Sequence, residues 1–104
     1  MVGAGHVGAT CSQLLAQKEL AQEVILLDIV EGIPQGKGLD QWESAPIEGF
    51  DSRVIGANAY EEAENSEVFI VTAGIARKPG MSRDDLLKTN AGVISSVSRE
   101  IKRV

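Results

Sequence analysis

Three glycines and one carboxylate carry the first chemical signal in the chain. Gly3, Gly5 and Gly8 stand in the spacing G-x-G-x-x-G, which lets a backbone pass close to a pyrophosphate and aims the N-terminus of the following helix at it. Alone, that pattern is weak, since it also suits a plain strand-to-helix connection. Asp28 adds weight: it lies twenty residues beyond Gly8, at the end of the apolar run Val24-Ile25-Leu26-Leu27. A carboxylate at the end of a second strand can accept hydrogen bonds from the hydroxyls of an adenosine ribose. Turn, helix, strand and acid together describe a dinucleotide site. A second chemical group comes later, where Arg77 and Arg83 lie six residues apart around a Pro79-Gly80 loop. A guanidinium stays charged and grips a carboxylate through two parallel N–H bonds, although a random pair of loop arginines would more simply be solvated charge.

The elements that must position these groups follow from periodicity. Only Met1 and Val2 precede the glycine turn, whereas such a turn is normally fed by a strand of about five or six residues, so the first strand reads as a stub. From about Gly5 to Leu20, the residues Val7, Cys11, Leu14 and Leu15 recur at i, i+4, i+7 and i+8, which predicts a helix packing that face on a sheet. Glu23 to Asp28 predicts a parallel strand covered on both sides. Pro34 suits a helix start, and that helix is expected to run to about Ser44, where Ala45-Pro46 ends it. A strand is expected at Arg53 to Ala57, an exposed acidic connection at Tyr60 to Ser66, and another buried strand at Val68 to Thr72, stopped by Ala73-Gly74. Gly74 to Met81 is a loop, and Ser82 with Asp85 forms a capping box opening a long helix whose apolar face is Leu86, Val93, Val97, Ile101 and Val104. Strands and helices alternate throughout, which predicts an α/β fold on a parallel sheet.

Bulk properties narrow the classes. Of 104 residues, 43% are hydrophobic and 24% charged, enough for one domain or part of one with a packed core. A formal net charge of -5 argues against a nucleic-acid or anionic-membrane surface, which would reward a basic face. With Cys11 as the single cysteine, no internal disulfide and no cysteine metal cluster can form, which fits a reducing compartment and an expected cytoplasmic location. No apolar run approaches the roughly 20 residues that span a bilayer, and nothing resembles a signal peptide.

In Gly3-Ala4-Gly5-His6-Val7-Gly8-Ala9-Thr10, Leu27 to Lys37, Thr72-Ala73-Gly74 and above all Ala76-Arg77-Lys78-Pro79-Gly80-Met81-Ser82-Arg83-Asp84-Asp85-Leu86, the sequence resembles the NAD-dependent malate dehydrogenases of the lactate dehydrogenase-like type. The resemblance runs the length of the chain. It implies a Rossmann-type doubly wound parallel sheet, with NAD as cofactor. Gly3, Ala4, Gly5, His6, Val7 and Gly8 would hold the pyrophosphate, Asp28 the adenosine ribose, and Asn90 would also contact the cofactor. Arg77 would pair with the distal carboxylate of oxaloacetate or malate, in the position where lactate-specific relatives carry glutamine, and Arg83 would close over the substrate and polarise its reacting carbonyl. The family further implies a small dicarboxylate substrate, a homodimer or homotetramer, and a place in the tricarboxylic acid cycle.

Two departures accompany that resemblance. The first strand, central in such a sheet, is reduced to its stub, and the later strands and the substrate domain of the family are absent. The proton-exchanging histidine, its aspartate partner, the arginine for the reacting-end carboxylate and a later asparagine are therefore outside these residues. His6, the one histidine, lies within the glycine turn and does not match the catalytic position. Residues 1–104 accordingly read as a partial NAD-binding domain that includes the substrate-closing loop 74–83, within a roughly threefold longer two-part enzyme. No catalytic residue and no metal ligand is expected in this chain, and alone it is expected to be inactive and marginally stable. Cys11 reads as a small core residue, and Trp42 as packing for its helix against the protein or a partner subunit. The alternatives are a lactate or other 2-hydroxy acid dehydrogenase of the same fold, a non-catalytic nucleotide-binding module, and a short-chain or sugar dehydrogenase that would leave the arginine loop unexplained.

Overall fold

The structure, a computed structural model, describes residues 1–104. Its sheet is parallel throughout. β1 (Glu23–Leu27) and β2 (Arg53–Ala57) pair from Glu23 against Arg53 to Leu27 against Ala57. On the opposite side of β1 lies the Met1 to Gly3 stub: Leu27 N–H donates to Met1 O and Gly3 N–H to Leu27 O, both at 2.8 Å. The stub also bonds outward, with Val2 N–H donating to Ile70 O and Thr72 N–H to Val2 O, again at 2.8 Å. Val2 thus occupies the centre of the sheet, bridged in parallel to Leu27 on one side and to Val71 on the other.

The expected buried strand Val68 to Thr72 is corrected to an extended edge. Its ladder consists of the two bonds to Val2, and Val68 is 72% exposed while Phe69 and Ile70 are half-buried. A β-branched run suits a half-buried pleated surface, but a strand also needs partners for its remaining N–H and C=O groups, and none pairs with its outer side.

Both faces of β1 are covered. Val24 and Leu26 pack with Met1 and Ala4 under α1 (His6–Gln17), while Leu27 packs with Val2, Ala57, Ala63 and Val97 under α4 (Arg83–Arg103). Leu26 and Val54 are almost wholly buried, each contributing roughly 1.5–3 kcal/mol. Of the expected contact face of α1, Cys11 and Leu15 pack on the sheet and Val7 and Leu14 do not. Its buried residues are Gly8, Ser12 and Ala16, whereas Val7 and Leu14 are 71% and 46% exposed. Cys11 and Leu15 are half-buried at the flank of the Val24 and Leu26 cluster, so Cys11 is a small packing residue at the core's margin. The glycine turn brings α1 so close to the sheet that only small side chains fit between, and the larger apolar residues rotate to the sides.

α2 (Ile33–Glu43) starts at Gly32, whose N–H donates to Gln35 Oε1 at 3.0 Å, with Pro34 in its first turn. α2 ends at Glu43 with Ser44 as its cap, as expected, and the chain then starts a further short helix, α3 (Ala45–Glu48), because proline in a first turn gives up only an N–H with no intrahelical partner. Between α1 and α2, Ser12 Oγ donates to Gln41 Oε1 at 2.7 Å and Gln41 Nε2 donates to Ala9 O at 2.7 Å. Trp42 packs beneath the Arg53 guanidinium, 5.1 Å from the ring centre. The acidic connection folds as one 3-10 turn, Tyr60–Ala63, tied to the end of α4 by an ion pair between Glu61 and Arg103 at 2.7 Å. No helix is long and apolar enough to cross a membrane, and no three His, Cys, Asp or Glu side chains gather as a metal site.

The capping box of α4 forms as expected: Asp85 N–H donates to Ser82 Oγ and Ser82 N–H to Asp85 Oδ2, both at 3.1 Å. The Ser82 N–H first, and its hydroxyl second, hold the Asp85 carboxyl below its ordinary range. A depressed folded-state pKa stabilises above the unfolded value, and that contribution is lost as pH falls through the folded value. Replacing Ser82→Ala keeps the Ser82 N–H bond to the carboxylate but removes the hydroxyl that accepts from Asp85 N–H, and loss of that N-cap should cost about 1 kcal/mol, which denaturant titration checks.

Candidate cofactor and substrate site

The site is built where the stub turns into α1. Gly3 has φ 105°, and a Cβ there would lie 2.8 Å from Ala73 N. A Cβ on Gly8 would lie 1.8 Å from Gly3 O, so this position tolerates no side chain. Gly5 differs, having no other protein atom within 4 Å of where its Cβ would be. Two glycines of the motif thus serve the turn's own packing, and the third leaves open space at the mouth of α1. Gly5 is also the N-cap of that helix, and neither a capping side chain nor an acid in the first turn satisfies its free N–H groups. Helix α4 carries both. An uncapped helix N-terminus of this kind suits an anion.

Asp28 stands at the end of β1 facing the turn. Its Oδ2 accepts from Ala4 N–H at 2.7 Å and its Oδ1 from Val30 N–H at 3.0 Å, leaving further lone pairs on both oxygens. Asn58, at the end of β2, donates to Asp28 O at 2.7 Å and Val30 O at 3.2 Å, fixing the loop beside the carboxylate. Between this loop, the turn and α4 lies a cleft of about 640 Å³, whose walls include Gly3, Gly5, Asp28, Ile29, Val30 and Val93. Ile29 is 94% exposed beside it. Apolar walls with a few polar groups at one end are the usual lining of a small-molecule site. Tyr60 also lines the cleft, and burial, then the Glu100 carboxylate, raise its phenol above the ordinary range.

Of the other turn residues, Ala4 is buried, with both of its main-chain polar groups bonded within the protein. The side chains of His6 and Val7 line grooves on other sides of α1, so these positions present only main-chain N–H groups at the helix end.

The arginine loop leaves the sheet beside the turn. Thr72 Oγ1 lies 3.3 Å from Gly3 O, and the chain passes from Ala73 and Gly74 into the cleft wall. Asn90, half-buried on α4, accepts from Ile75 N–H at 2.7 Å and donates to Ile75 O at 3.3 Å, clamping the root of the loop. Arg77 is exposed; its Nε donates to Met81 O at 3.0 Å. Arg83 opens α4 and is exposed. No carboxylate of the chain lies within 4 Å of either guanidinium.

Comparison with known proteins decides what this arrangement is. The model of the lactate/malate dehydrogenase NAD-binding domain matches residues 1–104. The chain belongs to that family. It is 53% identical over 103 residues to the malate dehydrogenase of Chlorobium limicola, covering 99% of this chain and 33% of that protein. The malate dehydrogenase of Picrophilus torridus superposes with a TM-score of 0.90 at 46% identity, over 98% of this chain and 33% of that one. The lactate dehydrogenase of Cryptosporidium parvum, solved with lactic acid and nicotinamide adenine dinucleotide, superposes with a TM-score of 0.87 at 40% identity, over 97% of this chain and 32% of that one. The chain spans about a third of the length of these relatives. Its partial doubly wound α/β sheet is the Rossmann-type fold of the family's NAD-binding domain.

The residues present fit NAD on their own geometry: open space at Gly5, an uncapped helix behind it, and a carboxylate at the end of the next strand. Sequence reasoning assigned no role to Asn58 or to Lys37, whose Nζ donates to Ala4 O. Both act across about thirty residues of chain, beyond the reach of any local pattern.

Proposed function

We propose that this chain is part of the cofactor-binding domain of a malate dehydrogenase, carrying the NAD cradle and the substrate loop. When bound, the nicotinamide supplies or accepts the hydride that interconverts oxaloacetate and malate. The free N–H groups of α1 hold the pyrophosphate, Asp28 takes the ribose hydroxyls, and Asn90 contacts the cofactor while anchoring the loop. Arg77 pairs with the distal carboxylate of the dicarboxylate, and Arg83 polarises the reacting carbonyl. Proton exchange falls to residues beyond this chain, which has no histidine outside the glycine turn. The observation that carries the reading is the arginine loop: two guanidiniums without carboxylate partners, on a segment rooted against Gly3. A homodimer or homotetramer is supported by the apolar Leu39 and Ile47 left on the surface, and a cytoplasmic setting by the single cysteine.

The test is turnover of the full-length enzyme with NADH and oxaloacetate, since absence of turnover would leave only a nucleotide-binding module. A second expectation concerns cofactor choice. Asp28 would repel a 2'-phosphate, and no arginine follows it to receive one. NADH should therefore bind more tightly than NADPH by calorimetry, and equal affinities would contradict the placing of Asp28.

A further inference from the structure

Both main-chain polar groups of Ala4 are held from outside the turn. Its N–H is bonded by Asp28, and its C=O accepts from Lys37 Nζ at 2.5 Å, across a separation of 33 residues. Lys37 lies on α2, half-buried, with no carboxylate within 4 Å. It lines a polar groove together with His6 and Thr10 of α1, so its ammonium stands beside the first turn of that helix. A trans peptide is planar, and its C=O and the following N–H point in opposite directions. Holding the Ala4 carbonyl toward α2 therefore turns the Gly5 N–H away from α2, and Gly5 lines the cleft on that other side.

We propose that Lys37 is a positioning residue for the pyrophosphate turn. It fixes the Ala4–Gly5 peptide so that the Gly5 N–H faces the ligand, and its ammonium, in a groove shared with Asp40, stands beside the positive end of α1. The proposal rests on the NAD reading given above. It separates two features of Lys37 that other side chains split: methionine keeps the apolar stem without charge or donor, and arginine keeps both.

The experiment uses the full-length enzyme and compares NADH with adenosine, which shares the ribose end and lacks the pyrophosphate. Lys37→Met should weaken NADH on the order of tenfold, the scale of a lost hydrogen bond to a charged group, and leave adenosine, measured by competition, within about twofold. Lys37→Arg should recover most of the loss. With Lys37→Met, the KM for NADH should rise while kcat at saturating NADH changes little. Lys37→Leu, which likewise lacks charge and donor, carries the same comparison if Lys37→Met does not fold. Unchanged NADH affinity, equal weakening of adenosine and NADH, or an arginine variant as weak as the methionine one would each overturn the proposal. A wild-type enzyme that binds no NADH would overturn the cofactor reading itself.

Discussion

Replacing Arg77→Gln in the full-length enzyme is expected to lower kcat/KM for oxaloacetate by about 3 kcal/mol, roughly two orders of magnitude, and to raise the relative use of pyruvate. The loop from Gly74 to Met81 carries Arg77 with only its Nε engaged, on Met81 O, which leaves its terminal nitrogens for a substrate carboxylate. Pro79 and Gly80, the latter at φ 83°, suit a segment that moves as a unit over bound substrate. A closed loop would leave Arg77 unpaired and poorly hydrated against the methyl group of pyruvate, whereas oxaloacetate matches it with a carboxylate. An unmatched charge costs more than a missing apolar contact, so discrimination should be strong and should depend on this one side chain. Arg83→Gln should instead slow both substrates, because carbonyl polarisation is common to them. Assays of oxaloacetate and pyruvate across both variants decide the matter. A substrate ratio unmoved by Arg77→Gln would end the malate assignment and make these arginines solvated charge.

What was legible in the sequence was set by short-range rules. The capping box of α4 needs only Ser82 and Asp85 three residues apart, and the glycine turn needs its spacing and an apolar run before Asp28. Both local geometries are found in the structure. The face of α1 was partly misread because periodicity gives an angle around a helix and no distance to the sheet. The Gly8 approach to Gly3 O excludes bulk from the face that Val7 and Leu14 were expected to fill. Val68 to Thr72 was misread because β-propensity describes how a side chain fits a pleated, half-buried surface, and a ladder depends on partners elsewhere in the chain. Lys37 on Ala4 O, Asn58 on Asp28 O and Asn90 on Ile75 are side-chain to main-chain bonds between distant residues, with no sequence period to announce them. The elements were therefore easier to read than the contacts that hold the turn and the loop root in place.

The two glycines Gly5 and Gly8 should separate folding from cofactor binding. Gly8→Ala would set a Cβ 1.8 Å from Gly3 O and 2.7 Å from Thr72 Oγ1, and the first of these is main chain that cannot rotate aside. Either α1 lifts from the sheet or the turn deforms, at a cost of about 3 kcal/mol, the upper end for overpacking. That is a large fraction of a stability of roughly 5–15 kcal/mol, and it displaces the helix end that faces the cleft. Gly5→Ala meets no atom within 4 Å, and the residue already sits at φ -67°, where alanine is unstrained. Alanine is a poorer N-cap than glycine, but it also reduces the freedom of the unfolded chain by about 0.4–1 kcal/mol, so the two effects nearly offset. The open space at Gly5 is what a pyrophosphate would fill, and a methyl group there should weaken NADH more than tenfold with the unfolding midpoint almost unmoved. Denaturant unfolding and NADH titration of both full-length variants give the comparison. If Gly5→Ala kept its NADH affinity, the pyrophosphate would not lie against Gly5; if Gly8→Ala unfolded like the wild type, the close approach of α1 to the turn would be wrong.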